Sequence, residues 1–143
     1  LAGAAAIVVA ARMSQAASAS AAIEAKVYSS PTCGCCGAWV EHLEANGFRV
    51  EVIARNDLDT LKDELGVPRA LRSCHTATIG GYVIEGHVPA ADIKTLLAKQ
   101  PRALGLAVPG MPVGSPGMEA GDQKDSYEVV LFGKTSSSTF ARH

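Results

Sequence analysis

Four cysteines carry most of the chemistry open to this chain. Three of them, Cys33, Cys35 and Cys36, fall within four positions in "SPTCGCC", and the fourth, Cys74, stands alone in "RSCHTA". Thiols grouped in this way can exchange with a disulfide, staple a fold or bind a soft metal. Cys33 and Cys36 have the Cys-x-x-Cys spacing of a redox dithiol. Cys35 spoils the analogy, because a third thiol beside a dithiol either scrambles it or joins it around a metal. Cys35 and Cys36 are also adjacent, so independent unstrained bridges from both are difficult. A Gly-rich loop is the wrong setting for three buried structural thiols. Four thiolates in one pocket would select Cu(I) above all, or Zn(II), and silver shares the softness that such ligands favour. Cys-x-Cys-Cys is not a zinc-ribbon pattern, so the spacing alone does not establish zinc.

Other soft or borderline donors accompany the thiols. Met111 and Met118 sit in "PGMPVGSPGME", a Gly/Pro loop where helical core packing cannot explain them. They are either thioether ligands to Cu(I) or the apolar side of a lid. His75 and His87 are auxiliary ligand candidates. Against His75, a ring pointing opposite to its neighbour along a strand would miss the pocket; His87 could instead cap the last helix. His42 reads as surface and His143 as a disordered end. The carboxylates of "NDLDTLKDEL" interleave with Lys62 on an expected solvated helix face. The sequence contains no Gly-x-Ser-x-Gly, phosphate loop or His-Glu-x-x-His.

The elements that must position these groups are legible from periodicity. "AKVYSS" (25–30) alternates and ends at Pro31, a strand followed by a loop. "GAWVEHLEANG" has Trp39, Val40 and Leu43 at helical spacing, with Asn46-Gly47 as its stop. "FRVEVIAR" (48–55) is a second strand. "NDLDTLKDELGVP" (56–68) is a helix capped by Asn56 or Asp57. "TATIGGYVIEGHV" (76–88) is a hairpin turning at Gly80-Gly81, and "PAADIKTLLAKQP" (89–101) is a helix entered at Pro89. The order is β-α-β-α-β-β-α, that of a thioredoxin-like α/β domain. In such folds a cis-proline begins the third strand and lies against the dithiol. Cys74-His75 holds that place here, and the nearest upstream proline is Pro68. The topology therefore brings Cys74 to the Cys33–Cys36 loop. The following Gly/Pro-rich "GLAVPGMPVGSPGMEAG" is expected to form no regular element. "DSYEVVLFG" (125–133) is expected as an edge strand, and "KTSSSTFARH" as a frayed tail.

Composition narrows the function classes. The 143 residues are 48% hydrophobic and 19% charged, enough for one domain with a core. A net charge of −1 and 5% aromatics argue against nucleic-acid binding. "LAGAAAIVVAA" followed by Ala17-Ser18-Ala19 reads as a signal peptide, or a disordered export segment, over residues 1 to about 22. The run lacks an initiating Met and a basic n-region, so residues are expected to precede it. It is too short to span a membrane, so no stable span is expected after cleavage. The domain then covers 23–120, with an extension over 121–143.

With these residues in view, the chain resembles CopG, the small exported thioredoxin-like proteins of bacterial copper resistance. The resemblance runs from about Val27 to Glu119 on "SPTCGCCGAWVEHLEANGF", "GVPRALRSCHTATIGGYVIEGHVPAADIKTLL" and "GLAVPGMPVGSPGME". It implies a periplasmic location and copper held by Cys33, Cys35, Cys36 and Cys74 as a small bridged cluster. His75, His87, Met111 and Met118 are the further candidate ligands. It also implies interconversion of Cu(I) and Cu(II) as a candidate activity, and periplasmic copper efflux or delivery proteins as candidate partners. Two readings from other classes stand beside it: a thiol–disulfide oxidoreductase using Cys33 and Cys36, and a zinc-stabilised interaction module.

Overall fold

The structure is a computed structural model and describes residues 20–143. Most of the expected export segment therefore lies outside the described residues. Strand β1 (Ile23–Ser29) leads through helix α1 (Gly34–Ala45) to β2 (Phe48–Ala54), which pairs parallel with β1. Helix α2 (Leu58–Glu64) and a 3-10 turn (Arg69–Leu71) lead to β3 (His75–Ile79). This strand pairs antiparallel with β1 on one side and with β4 (Tyr82–Glu85) on the other. Helix α3 (Ala90–Lys99) crosses over to β5 (Gly105–Ala107), parallel to β4. The element order through α3 is the one that periodicity gave.

Burial follows the patterning. In β1 the alternate residues Ala25, Val27 and Ser29 are buried, and in α1 Cys36, Trp39 and Leu43 form one inward stripe. Ala25, Val27, Trp39 and Leu43 join Ile93 and Leu96 of α3, and Ala77, Ile79 and Ile84 of the sheet, in the main core. The Trp39 indole N–H donates to the Val88 carbonyl at 2.9 Å, so the largest core residue leaves no buried donor unpaired. A smaller core of Val67, Val83, Ala107 and Phe132 involves the alternate residue of β4.

The chain beyond α3 departs from expectation in three ways. First, "GLA" is strand β5, although the Gly/Pro content around it masked the signal. Gly105 is there because its backbone lies against Val83: an added Cβ would sit 1.6 Å from the Val83 carbonyl oxygen. Second, β6 (Glu128–Phe132) is not an edge strand; it pairs with β5 and with β7. Third, the tail read as frayed is β7 (Ser137–Arg142), which completes a seven-stranded sheet of order β2-β1-β3-β4-β5-β6-β7. His143 is correspondingly ordered: it stacks on Tyr127 and pairs with Asp92 of α3 at 2.7 Å. A short, polar, Ser-rich strand can pair only because β6 offers a ready edge, which periodicity in "SSSTFAR" does not advertise.

Candidate metal centre

The registers run β1, β4 and β5 in one direction and β3 in the other. The C-terminal ends of three strands and the start of β3 therefore meet at one rim of the sheet. Cys33 is the N-cap residue of α1, and Cys35 and Cys36 lie in its first turn. Among the described residues no side chain caps this helix, and its first turn holds no acidic residue. Its free N–H groups and dipole are thus left to favour thiolate sulfur. Cys36 is buried; Cys33 and Cys35 are partly exposed.

Cys74 completes the group from the start of β3. Its Sγ lies 3.6 Å from Cys35 Sγ and 4.0 Å from Cys36 Sγ, and Cys33 and Cys35 are 3.6 Å apart. All four sulfurs fall within 4.8 Å of one another. Cys33 and Cys36 are joined as a disulfide, while Cys35 and Cys74 are free thiols. Burial, followed by the neighbouring Cys35, pushes the Cys74 thiol up to about 11. A metal binding there must displace its proton, so binding strengthens as pH rises.

Both auxiliary histidines reach Cys74. His75 Nδ1 and His87 Nε2 each lie 3.2 Å from its sulfur, and the three donor atoms fall within 4.8 Å of one another. Strand alternation does not separate Cys74 from His75 because β3 begins only at His75, leaving Cys74 in the preceding bend. His87 Nδ1 donates to the Pro116 carbonyl at 2.7 Å. A carbonyl only accepts, so this bond fixes the tautomer and turns the Nε2 lone pair toward the sulfur. His75 is fully buried against the Trp39 ring, and among the described residues its Nε2 has no hydrogen-bond partner.

The Gly/Pro loop closes over this rim. The Ser73 hydroxyl donates to the Gly110 carbonyl, and the Gly110 amide returns a bond to the Arg72 carbonyl at 3.4 Å. Met111 brings its thioether 3.9 Å from Cys35 Sγ, with half of its surface exposed. Gly117, at φ +89°, packs so closely on Trp39 and His87 that a Cβ would come within 3.0 Å of His87 Nδ1. Met118 is half-buried, and among the described residues no hydrogen bond joins its thioether to a thiol. Seven of the eight expected ligands therefore converge, and Met118 stands apart.

Two expectations about polar residues are corrected. His42 is not a surface group: its Nε2 accepts the Ala90 N–H at 3.0 Å and so caps α3, a role the sequence suggested for His87. Lys62 is not on a solvated face. It is 3% exposed, paired with the fully buried Glu85 and bonded to Thr76 Oγ1 at 2.9 Å. Its ammonium also donates to the Ser73 carbonyl at 3.2 Å, one residue before Cys74. The signal for this inner ion pair was Glu85 itself, a carboxylate ending an otherwise apolar strand.

Burial lowers the pKa of His42, His75 and His87 below 6.5, that of His75 to about 3. The unfolded chain then takes up protons that the folded one refuses. Stability is therefore full above pH 6.5 and is lost as pH falls from there toward the folded values. His75, held lowest of the three, contributes the largest share of that loss. Glu85, raised by burial, acts in the opposite sense but is one group against three. Urea unfolding of the metal-free protein is expected to show a loss of roughly 2 kcal/mol or more from pH 6.5 to 5. Equal stability at the two pH values would contradict the buried, neutral histidines.

The fold and the rim together define a mixed α/β protein carrying a thiol- and imidazole-rich group suited to a metal. Residues 71–118 match a family model described as a protein of unknown function, DUF411. Two solved structures, titled copper resistance protein CopG, form 2 and form 1, are each 47% identical. Each match covers 85% of this chain and 98% of the other, with a TM-score of 0.81. A search of curated proteins gives no match. The chain belongs to the CopG family of copper resistance proteins.

Proposed function

We propose that the protein is an exported, periplasmic copper-binding protein that holds Cu(I) at a multinuclear, cysteine-bridged site. The fold is read as a thioredoxin-like unit, β1 to α3, extended by β5, β6 and β7. The observation that carries the reading is the approach of Cys74 to Cys35 and Cys36, at 3.6 and 4.0 Å. A dithiol enzyme needs neither Cys35 nor Cys74, whereas four sulfurs within 4.8 Å suit ions that share thiolate bridges. Reduction of the Cys33–Cys36 bridge frees two of these sulfurs. Met111 would close the open side as a soft thioether ligand. Cycling of the bound copper between Cu(I) and Cu(II) fits a site that offers both thiolates and imidazoles. Silver is expected as a second cargo, and periplasmic copper efflux or delivery proteins as partners.

Anaerobic titration of the reduced protein with Cu(I) is expected to load more than one ion per chain. One tightly bound zinc with no copper uptake would overturn the reading. A second reading, thiol–disulfide exchange, is favoured by the Cys33–Cys36 bridge at the α1 N-terminus. Pro31, Gly37, Val40 and exposed Val52 line an apolar cleft beside that bridge. Insulin reduction assays on the same preparation separate the two.

A further inference from the structure

The bridge between Cys33 and Cys36 removes two sulfurs from the rim but leaves an organised set behind. Cys74 belongs to both groups of donors: the four cysteines, and the trio of Cys74, His75 and His87. The disulfide disables the first group and leaves the second intact, with Cys35 Sγ 3.6 Å from Cys74 on the opposite side. We propose that the bridged protein holds a single divalent ion of borderline softness at Cys74, His75 and His87, with Cys35 turning in as the fourth ligand. The bridge thus selects between Cu(I) at the sulfur cluster and one M(II) ion at a mixed site. The proposal rests on the reading of this rim as the metal centre and adds a second cargo class to it.

The geometry and charge both favour such an ion. Metal–sulfur and metal–nitrogen bonds of about 2.3 and 2.0–2.1 Å put tetrahedral sulfur pairs about 3.8 Å apart and sulfur–nitrogen pairs about 3.5 Å apart. Cys74 Sγ lies 3.6 Å from Cys35 and 3.2 Å from each histidine nitrogen. The trio of Cys74, His75 and His87 therefore needs only small shifts, while Cys35, which groups with the other thiols and not with the imidazoles, must turn its side chain in to complete the set. The His87 bond to Pro116 already presents the ligating Nε2, as an outer partner does for a metal-bound imidazole. Two thiolates neutralise a divalent ion, so the complex enters the buried rim without net charge. Four thiolates around the same ion would leave two negative charges there. A tetrahedral S2N2 set is one that zinc-like ions occupy. Conversion between the states is a two-electron exchange. A small dithiol reduces the Cys33–Cys36 S–S bond, becomes a disulfide itself, and leaves both protein sulfurs protonated.

Co(II), which does not oxidise thiols, is the probe. Protein with the bridge intact, verified by two alkylatable thiols instead of four, should bind one Co(II) per chain. Its spectrum should show sulfur-to-cobalt charge transfer and four-coordinate d–d bands. His87→Gln should weaken that binding roughly tenfold or more, with the circular dichroism spectrum unchanged. The double variant Cys33→Ser/Cys36→Ser should keep the one-to-one Co(II) site with or without reductant. No Co(II) binding by the bridged chain, binding indifferent to His87→Gln, or loss of binding in the double variant would each overturn the proposal. Absence of Cu(I) uptake by the reduced wild type would count against the cluster reading alone, because the Co(II) site needs neither bridge cysteine.

Discussion

Cys74→Ser is expected to collapse Cu(I) uptake by the reduced protein from several ions to at most one per chain. Cys74 Sγ stands between Cys35 and Cys36 on one side and both imidazoles on the other. Its loss removes the sulfur that links the α1 thiols to β3, so no bridged cluster can close. Removing even an outer partner of a ligand costs roughly 10–100-fold in affinity, and loss of a bridging ligand should exceed that. The fold should survive, because serine is close to cysteine in size and shape and Cys74 is only partly buried. Competition against a chromophoric Cu(I) chelator reads the affinity, and circular dichroism reads the fold. Disulfide exchange at Cys33 and Cys36 should be unchanged in the same variant. If Cys74→Ser retains full copper capacity, the four-sulfur centre is wrong; if it loses exchange as well, Cys74 serves the dithiol.

Lys62→Met carries the largest expected effect on stability. The substitution strands Glu85, which is fully buried, without its cation, leaving only neutral donors such as the Thr76 hydroxyl at 3.0 and 3.2 Å. Breaking a buried pair from one side costs about 3–5 kcal/mol. For a domain of this size that is a fall of roughly 10 °C or more in Tm. Replacing both partners, Lys62→Met with Glu85→Leu, should recover most of the loss, because a well-packed apolar pair avoids the uncompensated charge. The two-step outcome is the test. A single variant as stable as the wild type would mean that the pair is not buried in solution. The double variant also loses the Lys62 bond to the Ser73 carbonyl. Copper affinity in the refolded double variant should therefore drop while stability returns, which separates the two roles of Lys62.

The parts of this fold written in strict periodicity were legible. β1, α1, β2 and α3 follow from alternation or a three-to-four spacing, and the path of the chain through them carries Cys74 to the α1 loop. The thiol group was legible for the same reason: its members sit at element boundaries, which Gly, Pro and Asn residues mark. What stayed hidden depends on contacts between distant segments. Gly105 reads as a loop residue until the Val83 backbone is seen against it. Ser137–Arg142 reads as polar tail until β6 supplies an edge. Lys62 reads as solvated because its partner lies 23 residues on, and His42 as exposed because the amide it caps is 48 residues on. Met118 was grouped with Met111 on residue type alone; their shared loop turns only one thioether toward the thiols.

Copper K-edge X-ray absorption on the reduced, fully loaded protein reads the copper ligands and the copper–copper distance together. The expected spectrum has an edge of Cu(I) type, a shell dominated by sulfur at about 2.3 Å, and copper–copper scattering from ions that share thiolates. Cys74→Ser should remove the copper–copper feature. A nitrogen- and oxygen-dominated shell with no copper–copper scattering in the wild type would contradict a cysteine-bridged copper centre.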